Sequence, residues 1–179
     1  WRQHTWVCDQ SPFLDSIKFP VKNNLGLPEF QDYEIVHGPV IPPEAVVRWC
    51  IERMGEYVVM KITMDTYRYS LFRQIFESYG IQEETRQNPY GQLRLLRKIA
   101  SVCGIIAPDI EKLFAEGKIN YGSSAIMRWY TNNTEVATDK YGNKQYRKIE
   151  PKLRKNDGFM AFLAAMYSKD LIKEIVMYV

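Results

Sequence analysis

With 179 residues, 46% of them hydrophobic, the chain has enough apolar surface for one full core, and a single domain over 1–179 is the default. A formal charge of +3 is mild, so the overall balance singles out neither a nucleic acid nor a membrane as partner. Cys8, Cys50 and Cys103 show no CxxC or Cys/His spacing, which argues against a disulfide scaffold or structural zinc and fits a reducing compartment. No apolar run reaches the roughly 18 residues of a membrane span, and no signal peptide is recognisable.

In chain order, Arg2 to Val7 is predicted to be a strand already under way at Trp1, which reads as a fragment cut from a longer protein. Prolines and glycines punctuate the sequence to about Gly38, with a short strand expected at Tyr33 to His37. Pro42-Pro43 then opens a helix over Glu44 to Met54, which Gly55 stops. Tyr57 to Met64 is short, rich in β-branched residues and nearly continuously apolar, as a strand covered on both faces should be. It ends on Asp65, and a helix with Tyr67, Leu71, Ile75 and Phe76 on one face follows at once, stopping at Gly80. Leu93 to Val102 reads as strand or helix. Ala107 to Phe114 reads as a short helix with Pro108 in its first turn, and Gly117 ends it. Ser124 to Tyr130 should be helical. Thr134 to Thr138 and Lys144 to Ile149 form a predicted hairpin that turns at Gly142-Asn143, and a long helix runs from Asp157 to about Met177.

Two carboxylates stand out. Asp65 ends a predicted buried strand, and the crevice beyond strand C-termini is where open α/β sheets bind ligands. Asp157 opens an apolar helix directly behind Lys140, Lys144, Arg147, Lys148, Lys152, Arg154 and Lys155, a run opposed in sequence only by Glu150. Each also reads as a simple helix cap, with Thr66 and Asn156 as competitors for that job. If the two converge, oxygen ligands beside a basic hairpin suit Mg²⁺ or Mn²⁺ and a phosphate, the chemistry of metal-assisted phosphodiester hydrolysis. Two aspartates are too few for a complete two-metal site. His4 and His37 read as ordinary strand or loop residues. Trp6, Trp49, Trp129 and Tyr130 read as core in preference to base-stacking platforms, and no Walker A loop is present.

The motif order is more specific than any single motif. The strand-Asp65-helix unit precedes Ile110-Glu111-Lys112-Leu113-Phe114-Ala115-Glu116-Gly117-Lys118-Ile119, Ala125 to Val136 around Trp129, Asp139 to Lys144, Lys148 and Asn156-Asp157-Gly158-Phe159-Met160-Ala161. From about Arg2 to Tyr167 the chain resembles the C-terminal nuclease domain of the large terminase subunit of tailed bacteriophages and prophages. That resemblance implies an α/β, RNase H-like mixed sheet flanked by helices and metal-dependent endonuclease cutting of double-stranded DNA by two-metal hydrolysis during genome packaging. It also implies a terminase small subunit and a portal protein as partners, in the cytoplasm of a bacterial host. Asp65 and Asp157 match two of the family's three aspartates and are the implied catalytic metal ligands for Mg²⁺ or Mn²⁺. The first aspartate, on an opening strand that would precede Trp1, has no match, and neither Asp9 nor Asp15 is promoted to it. A chain without that strand and without the ATPase domain is expected to be inactive by itself. The hairpin over 134–149 and its surroundings resemble a family element near the catalytic site, where Lys144, Arg147, Lys148, Lys152, Arg154 and Lys155 would hold the DNA backbone without reading sequence. The rivals are a non-catalytic DNA- or portal-binding module and another RNase H-like enzyme with a different acidic set.

Overall fold

Pro43 at the first turn, Gly55 past the last and Val47 on the inward face build helix α1 (Pro43–Met54) as its sequence demands. The computed structural model describes residues 3–12, 33–97, 99–122, 124–152 and 154–176. Their elements run β1 (Thr5–Cys8), β2 (Tyr33–Val36), α1, β3 (Ile62–Met64), α2 (Tyr69–Ser78), β4 (Leu93–Leu95), α3 (Ile99–Ala115), α4 (Ala125–Asn132), β5 (Thr134–Thr138), β6 (Lys144–Lys148) and α5 (Asp157–Val176). In place of the one mixed sheet expected, the described strands pair two by two: β1 with β2 and β3 with β4 in parallel, β5 with β6 antiparallel. The chain divides into two compact units, Trp1–Ile41 with Cys103–Met160 and Pro42–Val102 with Ala161–Val179. The division falls inside α3 and α5.

The second unit has a core of Val47, Tyr69, Phe76, Ile81 and Leu93, with Cys50, Ile51, Phe72 and Leu95 among the side chains packed against it. Tyr69, Phe72 and Phe76 recur at helical spacing, which sets the buried face of α2. Tyr67 and Leu71, expected on that face, are exposed instead. The expected strand over 57–64 is cut to three residues. Glu56 and Tyr57 still donate backbone hydrogen bonds to the Arg53 carbonyl, so the α1 terminus claims them, and Val58 is 90% exposed. Beside the β3–β4 pair, the Lys61 ammonium lies 2.9 Å from Glu84, and Arg94 grips the same carboxylate through two nitrogens. The Arg94 guanidinium, then Lys61, hold the Glu84 carboxyl below its ordinary range against the opposing effect of burial.

The first unit contains the β1–β2 pair, the β5–β6 hairpin and α4. Ile110, Ile126, Met127, Tyr130, Tyr146 and Phe159 are buried there, and the Phe159 ring packs on Tyr146 with centroids 5.5 Å apart. Leu93 to Val102 resolves into both readings, β4 followed by the start of α3. Pro108 does not open a helix; it sits inside α3, which runs unbroken from Ile99. The apolar face formed by Ile106, Ala107 and Ile110 is buried on both sides of the proline, which outweighs its missing N–H donor. No described helix is long and apolar enough to cross a membrane.

Candidate functional site

Asp157 is positioned by residues far from it in sequence. Ser124 caps α4 by accepting the Met127 N–H at 3.1 Å, and Asn133 ends that helix. Asn133 is buried; its amide nitrogen donates to the Lys155 carbonyl at 2.9 Å, while its own carbonyl accepts the Ile149 N–H at 3.0 Å. One residue thereby ties the end of α4 to both sides of the basic segment. The Asn156 carbonyl then accepts the Met160 N–H at 3.0 Å, and α5 is under way with Asp157 in its first turn. Gly158 lies flat against the buried Tyr130 ring, so close that an added Cβ would stand 2.3 Å from a ring carbon. Asp157 itself is 65% exposed, with Oδ1 3.7 Å from the Lys148 ammonium at the end of β6.

Asp65 belongs to the second unit and sits directly after β3, as its sequence position requires. It does not cap α2. The helix begins four residues later, and Arg68, in the left-handed conformation at φ 54°, occupies the cap position without a side-chain cap bond. Asp65 Oδ1 instead accepts the Tyr67 N–H at 2.9 Å, closing a small turn between strand and helix. The side chain is exposed.

The basic segment is less unbalanced in space than in sequence. Lys144 pairs with Glu111 of α3. Arg147 pairs with the cross-strand Glu135 at 2.6 Å, Lys148 with Asp157, and Arg154 with Glu150 at 3.7 Å. Lys152 is exposed and has no carboxylate partner among the described residues, and Lys140 lies over the Tyr141 ring, 4.9 Å from its centroid. The hairpin turn is built by Asp139, whose carboxylate accepts from the Asn143 side chain and backbone and from the Tyr141 N–H. Those bonds, the Asn143 side chain first, lower its carboxyl below the aspartate range.

A groove of about 440 Å³ in the first unit is lined by Trp6, Cys8, Trp129, Tyr130, Lys155 and Asp157, among others. Near the end of β1, Asp9 makes a pair that sequence reading missed. Its Oδ2 lies 2.8 Å from His37 Nδ1 and its Oδ1 accepts the Gly38 N–H at 2.9 Å. The His37 bond is the largest of the influences that lower the Asp9 carboxyl. The parallel register of β1 and β2, with Cys8 opposite Val36, makes the next residues neighbours, and only that pairing could have revealed the contact.

Aspartate oxygens are the hard donors that Mg²⁺ and Mn²⁺ take. Among the described residues, however, no group of three or more His, Cys, Asp or Glu side chains is gathered as a metal site. The described residues thus include donors of the right kind, Asp65 and Asp157 among them, without a gathered group of three.

No protein-family model matches the sequence, and no curated protein does. Among solved structures, the chain is similar to the crystal structure of the HK97 bacteriophage large terminase, with a TM-score of 0.62 at 18% sequence identity over 76% of this chain. It spans 26% of the length of that protein. At this identity the likeness is one of fold, and the terminase-like α/β fold expected from the motif order is borne out.

Proposed function

We propose that this chain is the nuclease part of a DNA-packaging large terminase and that Asp65 and Asp157 are carboxylate ligands of Mg²⁺ or Mn²⁺ in the intact protein. The observation that carries the reading is Asp157: an exposed carboxylate on the first turn of a helix, 3.7 Å from a lysine, beside a groove and behind a basic hairpin. The terminase-like fold and the family order of the motifs support it. A bound divalent ion would supply the Lewis acidity for hydrolysing a phosphodiester of double-stranded DNA.

The chain's own part in that reaction is positional. Asn133 and Gly158 fix the start of α5 and so fix where the Asp157 carboxylate projects. Lys148 restrains that carboxylate and offsets its charge against an approaching phosphate. Lys152 is available for a sequence-independent backbone contact, and Lys144, Arg147, Arg154 and Lys155 add charge around it, each of the first three sharing it with a carboxylate. The terminase small subunit and portal protein are the proposed partners of the intact machine, and the host cytoplasm its proposed place.

Asp65→Ala or Asp157→Ala in the intact protein should abolish Mn²⁺-dependent cutting of plasmid DNA. Cleavage at the wild-type rate by either variant would refute the assignment. The second reading, a non-catalytic DNA- or portal-binding module, draws on Lys140 and Lys152, which have no carboxylate partner among the described residues and would serve DNA binding whether or not the aspartates hold a metal.

A further inference from the structure

We propose that Arg68 is a phosphate contact, its guanidinium holding the backbone of duplex DNA beside Asp65. This rests on the nuclease reading of Asp65 and adds to it a residue that motif order does not single out. Arg68 is the one non-glycine among the described residues with a positive φ, at φ 54° and ψ 17°. It is the third residue of a turn from Thr66 to Tyr69, which the Tyr69 N–H closes on the Thr66 carbonyl at 3.4 Å. A positive φ at that place in a turn is usually left to glycine or asparagine, because a Cβ there crowds the backbone.

The strained backbone is held from both sides. Upstream, the Met64 carbonyl accepts the Leu96 N–H at 2.6 Å, and Asp65 accepts the Tyr67 N–H. Downstream, Tyr69 is buried and donates its hydroxyl to Glu83 at 2.9 Å, while the Arg68 carbonyl takes the N–H groups of Leu71 and Phe72. These bonds hold backbone and neighbours, and glycine at position 68 would satisfy them without strain. Nothing else in the fold uses the side chain. Arg53, Lys61, Arg73 and Arg94 each pair with a glutamate, whereas the exposed Arg68 guanidinium has no carboxylate or ring partner among the described residues. A strained position that carries an unused cation points to an anion outside the chain.

The neighbouring residues indicate which anion. Three residues span at most about 11 Å even when extended, so Arg68 and Asp65 address one stretch of a bound molecule. Asp65, Thr66, Tyr67, Arg68 and Ser70 are all exposed, an open surface on which an extended polyanion can lie. The planar fork of a guanidinium matches phosphate oxygens, and such a contact positions DNA without reading its sequence.

The test is affinity for a blunt twenty-base-pair duplex, read by anisotropy in EDTA across a series of KCl concentrations. Arg68→Gly should bind about fivefold more weakly at low salt, and its log–log salt slope should be shallower by about 1. Arg68→Lys, which keeps the charge, should keep the wild-type slope. The urea midpoint of Arg68→Gly should stay level or rise, since glycine relieves the turn. Unchanged affinity and slope in Arg68→Gly overturn the proposal, as does failure of the wild-type chain to bind the duplex. A lower urea midpoint in Arg68→Gly overturns it too, because the arginine is then a structural part of the turn. Since no metal is present, a failure here leaves the Mn²⁺-dependent cutting test standing. Wild-type cutting by the aspartate variants, in turn, leaves a measured phosphate contact at Arg68 standing.

Discussion

Asp157 and Asp65 carry the same functional group and stand at comparable places in the sequence, yet they are held in opposite ways. The backbone on either side of Asp157 is fastened by Asn133 and Tyr130, each more than twenty positions away, and its carboxylate is met by Lys148. Asp65 is restrained by one bond to a backbone N–H two residues on. A carboxylate of the first kind has its place set by tertiary packing, while one of the second kind has it set by a local turn. Substitutions around the first should therefore disturb folding, and substitutions at the second should leave folding alone.

The sharpest way to break this contrast is Gly158→Ala. A first-turn alanine would ordinarily gain up to about 1 kcal/mol over glycine. Here the added carbon would stand 2.3 Å from a buried ring, so overpacking of about 1–3 kcal/mol should prevail and lower the urea midpoint. Asn133→Ala comes next. It leaves the Lys155 carbonyl without its side-chain donor and should cost about 1–2 kcal/mol in the same assay. Asp65→Ala should shift the midpoint by less than about 0.5 kcal/mol, as an exposed turn residue does. If Asp65→Ala proves as costly as Asn133→Ala, the contrast fails.

The smallest effect is set by pH. The Asp139 carboxyl is lowered in the folded chain, so its contribution is fully present above the ordinary aspartate pKa of about 3.9. It is lost as the pH falls from there through the lowered folded value. Asp9, lowered chiefly by its His37 bond, follows the same sign. Amide shifts of Tyr141 and Asn143 should report the loss below that point, and Asp139→Asn should remove the transition at the hairpin while leaving that of Asp9.

Much of this was legible in the residues. The Thr134–Thr138 and Lys144–Lys148 strands, the α1 start at Pro43 and the α5 start at Asp157 follow from turn residues and periodicity, which are local. The departures share a cause. The 57–64 strand is shortened because the end of α1 holds Tyr57, and α3 runs through Pro108 because burial on either side outweighs one lost bond. The basic run looks opposed by Glu150 alone because Glu111 and Glu135, which pair with two of its members, lie outside it in sequence. The pairing of Asp9 with His37 depends on a parallel register that no short window contains. Motif order singles out Asp157 as a candidate, but the reasons for Gly158 and Asn133 exist only in three dimensions.

The two bonds of Asn133 also bear on timing. Its carbonyl holds the amide of Ile149 and its side chain holds the carbonyl of Lys155. The end of α4 and the segment entering α5 are thus members of one cooperative opening unit. Whenever the last turn of α4 frays, the hairpin exit and the approach to Asp157 are released with it. The carboxylate keeps its place only for as long as that helix end stays closed, and the exchange lifetime of the Ile149 amide is the clock that records it.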